Sequence, residues 1–227
     1  MRALLRLLLA SLAIAGASTA HSEEPAPAVR FGVLASAQTI LSGDTDPAVL
    51  PGFRLTAQGP LALGGSTPFE LYALLELTGL PGETVNLGEP ATFKAARMDV
   101  GLARVVGKVR RGDQTIRTLL FVEGGFATRL PRDPGPVDRY PRRLLFGVRF
   151  EEAKSGASLG AAYGRDGAAG VFGWGQLLVS GQVPVYEVRE NLDVILGGDA
   201  VLTLGKRFYD GAQRDIFRAW VGVRAGR

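Results

Sequence analysis

The chain contains no cysteine and one histidine, His21, and those two shortages narrow its chemistry sharply. Without cysteine there is no disulfide framework of the kind that stabilises small secreted domains, and no lipid can be attached through an N-terminal cysteine. Stability has to come from sheet closure or a conventional core. Without a second histidine the usual general base for a serine nucleophile is missing, because His21 lies outside every segment with a structural pattern. Ser180-Gly181 also lacks the glycine that would make it a nucleophile elbow. A histidine- or cysteine-based metal site is excluded on the same inventory. We therefore expect no catalytic residues, no metal and no cofactor.

Lysine is scarce too. Lys94, Lys108, Lys154 and Lys206 are the only four, and arginine supplies the rest of the 26 basic residues against 22 acidic ones. Basic and acidic residues are interleaved, with no Lys/Arg stripe and no aromatics spaced between cations, so nucleic acid is not an expected partner. Arginine is the better residue for pairing with carboxylates in a confined space, because its planar fork binds them two bonds at a time. Amphipathic helices are also lacking.

The one apolar run is at the N-terminus. Arg2 and Arg6 precede Leu7 to Ile14, and Ser18-Thr19-Ala20 offers small residues for cleavage. We read residues 1–20 as a secretory signal peptide, since its apolar core is well short of the roughly 20 residues that span a bilayer. Residues 21–27 are expected to be a short leader, and 28–227 a single domain.

What the mature chain does have is alternation. Phe53, Leu55, Ala57, Gly59, Leu61 and Leu63 hold every second position, with Arg54, Thr56, Gln58, Pro60 and Ala62 between them. Only a strand uses a period of two. The pattern predicts ten strands, at about 28–41, 52–63, 68–79, 92–110, 115–129, 142–152, 157–165, 170–186, 190–206 and 213–225, eight being the alternative count. Tight connections at 64–67, 111–114, 153–156 and 187–189 alternate with longer ones at 42–51, 80–91 and 130–141. An antiparallel up-and-down meander follows.

The apolar parity comprises Val29, Phe31, Val33, Ala35 and Leu41 in the first strand, Phe69, Leu71, Ala73, Leu75 and Leu77 in the third, Leu144, Phe146, Val148 and Phe150 in the sixth, and Phe217, Ala219, Val221 and Val223 in the last. The opposite parity carries Arg30, Arg54, Glu70, Glu76, Arg97, Asp99, Arg117, Glu123, Arg149, Glu151, Asp193, Asp199 and Arg218, which we read as a structural charge network lining a lumen. Arg104, Lys108 and Arg110 fall on the apolar parity, which implies a bulge in the fourth strand or its extension beyond the bilayer.

Even strand count, short turns on one rim and long loops on the other resemble the small bacterial outer-membrane β-barrel proteins, the OmpA/OmpX-like size class and its ten-stranded relatives. One departure is the last segment, Trp220-Val221-Gly222-Val223-Arg224-Ala225-Gly226-Arg227, which does not finish on the aromatic residue usual in that group. The resemblance implies a transmembrane barrel in the outer membrane, with outer-membrane lipid and the barrel assembly machinery as partners and any external ligand at loops 42–51, 80–91 or 130–141. The expected function is non-enzymatic: envelope-structural, surface-binding, or passage of very small solutes through a largely blocked lumen. The same alternation also fits a soluble periplasmic barrel like a lipocalin, with Phe31, Leu71, Leu75, Phe146 and Val148 lining a cavity for an apolar ligand.

Three smaller motifs carry less. Glu70 and Glu76, like Asp193 and Asp199, are roughly 20 Å apart at ~3.3 Å per residue, too far for two-carboxylate glycoside chemistry. Asp44 and Asp46 lack the later ligands of a calcium loop. Arg111-Gly112-Asp113 reads as turn chemistry.

Overall fold

A computed structural model describes residues 29–42, 45–61, 69–78, 95–129, 142–167, 175–204 and 214–226. They form ten antiparallel strands: β1 (Arg30–Ser42), β2 (Thr45–Leu61), β3 (Phe69–Thr78), β4 (Ala95–Arg111), β5 (Gln114–Arg129), β6 (Arg142–Glu152), β7 (Ser158–Gly167), β8 (Gly175–Arg189), β9 (Leu192–Leu204) and β10 (Arg214–Ala225). Each strand pairs with its sequence neighbours, and β1 pairs with β10, so the sheet closes on itself. Closure removes the free edges that an open meander of this length would expose.

The register is staggered. Directly opposed partners run from Pro60 in β2 through Glu70, Ala103, Phe121, Gly147, Ala162, Leu178, Val201 and Ile216 to Ile40. That circuit starts at the foot of β2 and finishes near the far end of neighbouring β1, the displacement that tilted strands produce when a barrel closes.

Two tight turns follow their residues. Arg111 opposes Gln114 across Gly112-Asp113, where Gly112 takes φ +61° at the first central position, as a type II′ turn demands. Arg189 opposes Leu192 across Glu190-Asn191, with Asn191 at φ 64°. The second turn lies beyond the expected site at 187–189, because the alternating Val185-Tyr186-Glu187-Val188 stretch continues β8 through two register shifts. The bulge expected in β4 lies between Val105 and Gly107, and Arg104, just before it, stands exposed with its guanidinium 5.6 Å from the Phe69 ring centroid.

The expectation of a loop at 42–51 is corrected. Thr45–Pro51 belong to β2, paired against β1 from Ser42↔Thr45 to Ala37↔Pro51 around a shift between Ile40 and Ser42. Pro47 and Pro51 look like strand breakers, but this part of β2 has β1 as its only described partner, and proline is tolerated on such an edge. Loop 80–91 and loop 130–141 lie outside the described residues.

Every strand presents large apolar residues to the outside: Val33, Leu55, Leu71, Val100, Leu120, Phe146, Tyr163, Val179, Leu196 and Val221, from β1 to β10 in order, are all exposed. The side chains at the opposite parity are turned inward. This overturns the lipocalin-like arrangement, since Phe31 and Phe146 are more than half exposed, at 58 % and 59 %, and Leu71 and Leu75 also face outward.

Inward-facing glycines make room for inward-facing bulk. Tyr72 opposes Gly101, Phe121 opposes Gly147 and Trp220 opposes Gly197, and in each pair a Cβ on the glycine would strike the ring across the strand. The absent side chain leaves the space that the ring across the strand occupies.

Candidate functional site: a charged, largely closed lumen

Strand parity alone brings the thirteen acidic and basic residues singled out above into one enclosed space. Seven inward arginines (Arg30, Arg54, Arg97, Arg117, Arg149, Arg218, Arg224) face seven inward carboxylates (Glu70, Glu76, Asp99, Glu123, Glu151, Asp193, Asp199) among the described residues. They divide into three groups by which strands carry them.

In the first group β2, β3, β4, β5, β9 and β10 converge. Arg54 donates through Nε and Nη2 to Glu76 at 3.2 and 2.9 Å, and Arg218 reaches Glu76 at 3.3 Å and Asp199 at 2.6 Å. Arg97 pairs with Asp99 at 2.6 Å and stands 3.8 Å from Glu76. Ser36 donates to Glu76, and the Tyr72 hydroxyl donates to Glu123 at 3.1 Å. The Arg54 guanidinium also lies 4.1 Å from the Trp220 ring centroid, a cation–π contact.

The second group is built on β1, β3, β5 and β6. Glu151 accepts from Arg30 at 2.6 Å and from Arg117 at 2.8 Å, while Arg149 stays 3.7 Å away with its guanidinium 5.3 Å from the Tyr72 ring centroid. Arg117 also pairs with Glu70 at 2.8 Å, and Gln58 donates to Glu70 at 2.8 Å.

The third group closes the mouth on the side of the hairpin turns. Arg224 pairs with Asp193 at 3.2 Å and donates to the carbonyls of Ser155 and Gly156, while Arg30 donates to the Ala153 carbonyl at 3.2 Å. Those carbonyls belong to the turn between β6 and β7, across the barrel from β1 and β10. The turn is therefore folded inward over the lumen, with Gly156, at φ +66°, buried against both guanidinium groups. Its start is held by Glu152, whose carboxylate accepts from the N–H groups of Lys154 and Ser155.

The interior also holds apolar side chains. Leu145, Ala162, Leu178 and Val201 form one buried apolar cluster with Phe121 and Ile216 against it; Leu34, Ile195 and Trp220 form another. Between the apolar and charged walls lies a cavity of about 160 Å³, lined by residues that include Arg30, Arg54, Tyr72, Arg97, Asp99, Glu123, Arg149, Asp199, Trp220 and Arg224. Arg224, Tyr72, Gln58 and Trp220 were not among the expected site residues. Their positions signalled them, since Arg224 and Trp220 share the parity of Arg218, and Tyr72 that of Glu70 and Glu76.

Chemically the described lumen offers paired charges. No group of three or more residues suited to a metal ion occurs among the described residues. Against the expectation that no Gly-x-Ser-x-Gly elbow occurs, Gly156-Ala157-Ser158-Leu159-Gly160 matches that pattern, but Ser158 opens a strand instead of a strand-to-helix turn.

No protein-family model matches the chain, and no curated protein does. Among solved structures it is similar to Neisserial surface protein A (TM-score 0.39, 13 % identity, 87 % of this chain and 97 % of that one). It is also similar to outer membrane phospholipase A from Escherichia coli (0.40, 13 %, 94 % and 96 %) and to Ail, the attachment invasion locus protein of Yersinia pestis (0.34, 9 %, 89 % and 99 %). All three scores lie below 0.5, so these likenesses carry no functional weight.

Proposed function

We propose that the protein is an integral, non-enzymatic β-barrel of the bacterial outer membrane, with a lumen blocked by its own side chains. The observation that carries this reading is the inversion of a soluble protein's faces: apolar residues stand exposed on all ten strands while fourteen charged side chains among the described residues turn inward, eleven of them buried. In water such an apolar circumference would be an aggregation surface; in a bilayer it is the matching face. Charge begins where the belt ends, as at Glu152 after Phe150 on the outward parity of β6.

A ten-stranded barrel is only wide enough for side chains or one small ligand. Charge pairs, apolar clusters and the inward turn occupy this one, which supports an envelope-structural role, with surface binding left to the loops, over a general diffusion pore. The test is fractionation of expressing cells followed by gel electrophoresis in SDS with and without boiling. A detergent-extracted outer-membrane band whose mobility changes on boiling is expected. A freely soluble protein with no shift would overturn the reading.

A further inference from the structure

The carboxylates and arginines of the lumen balance overall but not locally. Around Glu151 three guanidinium groups (Arg30, Arg117 and Arg149) share two carboxylates, Glu151 and Glu70. Around Glu76 the imbalance is reversed, with Arg54, Arg97 and Arg218 facing Glu76, Asp99, Glu123 and Asp199. The surplus positive charge belongs to Arg149, whose nearest carboxylate oxygen lies beyond hydrogen-bond distance and whose Nε and Nη2 are buried without an acceptor.

Arg149 lines the cavity, and hydrogen-bonding capacity there is lopsided in the same sense. Nε of Arg30, Nε of Arg224 and Nε1 of Trp220 are also buried without an acceptor, and all three residues line the same space. Among the described residues, every buried unmatched side-chain atom that belongs to a residue lining the cavity is a donor, Arg97 Nε beside Asp99 included. A guanidinium in a site of low polarity that lacks an acceptor has strong reason to take an anion, and its fork suits a pair of oxygens.

We propose that this cavity is a binding site for a small oxyanion, a carboxylate or a phosphate, held by Arg149 with help from the Arg30, Arg224 and Trp220 N–H groups. The inference rests on the lumen's geometry and not on the membrane location, so either can fail without the other.

The test uses the full chain folded in detergent, carrying Trp174→Phe so that Trp220 is the only indole. Its fluorescence is titrated with sodium phosphate and, separately, sodium acetate, each against sodium chloride at matched ionic strength. A saturating response to phosphate or acetate beyond that to chloride is expected, and the stronger of the two names the ligand class. Arg149→Gln should weaken the apparent affinity at least tenfold, and Arg149→Lys by less. If Arg149→Gln does not fold, Arg149→Lys is read in its place and must still weaken binding. Responses indistinguishable from chloride, as ordered water alone in the cavity would give, or an affinity unmoved by the substitution that folds, overturn the proposal.

Discussion

Glu76 is buried to 1 % exposure with Arg54 and Arg218 on it and Arg97 close by, so replacing it with glutamine takes from the buried Arg54 guanidinium the carboxylate that accepts its hydrogen bonds. Breaking a buried ion pair from one side costs about 3–5 kcal/mol. Glu76→Gln is expected to unfold at clearly lower urea concentration than the parent in lipid vesicles, and a change within error would mean the pairing carries no stability. Gly101→Ala tests a different force. Its Cβ would meet the Tyr72 ring, and overpacking of this kind costs about 1–3 kcal/mol. The companion Gly101→Ala/Tyr72→Ala should recover part of the loss in the same titration. The charged lumen residues were legible in the sequence because parity alone assigns them a side. Their partners were not, since Arg54 meets Asp199, and Arg30 meets Glu151, only after the circuit has closed with its stagger.

The turn between β6 and β7 behaves as a stopper because of what lies opposite it. Arg224 and Arg30 hold its carbonyls, so Arg224→Ala together with Arg30→Ala should release it and raise single-channel conductance in a planar bilayer above that of the parent. Unchanged conductance would show that the lumen is blocked elsewhere. The same turn has a pH dependence. Partial desolvation pulls the pKa of the rim carboxyl of Glu152 up, and bonds from the Ser155 hydroxyl and the N–H groups of Ser155 and Lys154 outweigh it, leaving the pKa below its ordinary value. A depressed carboxyl stabilises the fold above its unfolded pKa, and that contribution fades as pH falls through the folded value. Glu152→Gln should therefore lower stability at neutral pH and flatten the acid side of the profile, below about pH 4, where parent and variant converge. Strand boundaries were readable from alternation in elements such as β6, whose limits coincide with those expected. They failed where turn-forming residues sit inside a strand: Pro47 and Pro51 lie within β2 and not before it.

At the scale of the whole molecule, the outward belt makes position decisive. Val221→Arg, near the middle of β10, should cost about 2–4 kcal/mol in lipid, and Val188→Arg, close to the turn rim of β8, about 0–1 kcal/mol. Both sites are exposed, so in a soluble barrel the two would be alike and nearly silent. Folding titrations into vesicles separate the cases. Alternation could not distinguish the inside of the barrel from the outside, because two hands of the same pattern are physically equivalent until closure decides which face is enclosed. Nor could it reveal the buried apolar clusters. Leu34, Leu119, Leu145 and Ile195 share a parity with charged neighbours, and counting polar against apolar positions averages them away.

The stopper also sets a sequence of events in time. Arg30 opens the first strand and Arg224 is the last residue but one of the final strand, yet both bind a turn near residue 155. Those bonds cannot exist until the two ends of the chain have met, so they contribute nothing to an open sheet and nothing to a transition state that precedes closure. Interactions of that kind leave the folding rate alone and slow unfolding. The stopper would therefore act as a catch on a finished barrel, lengthening its lifetime without hastening its assembly.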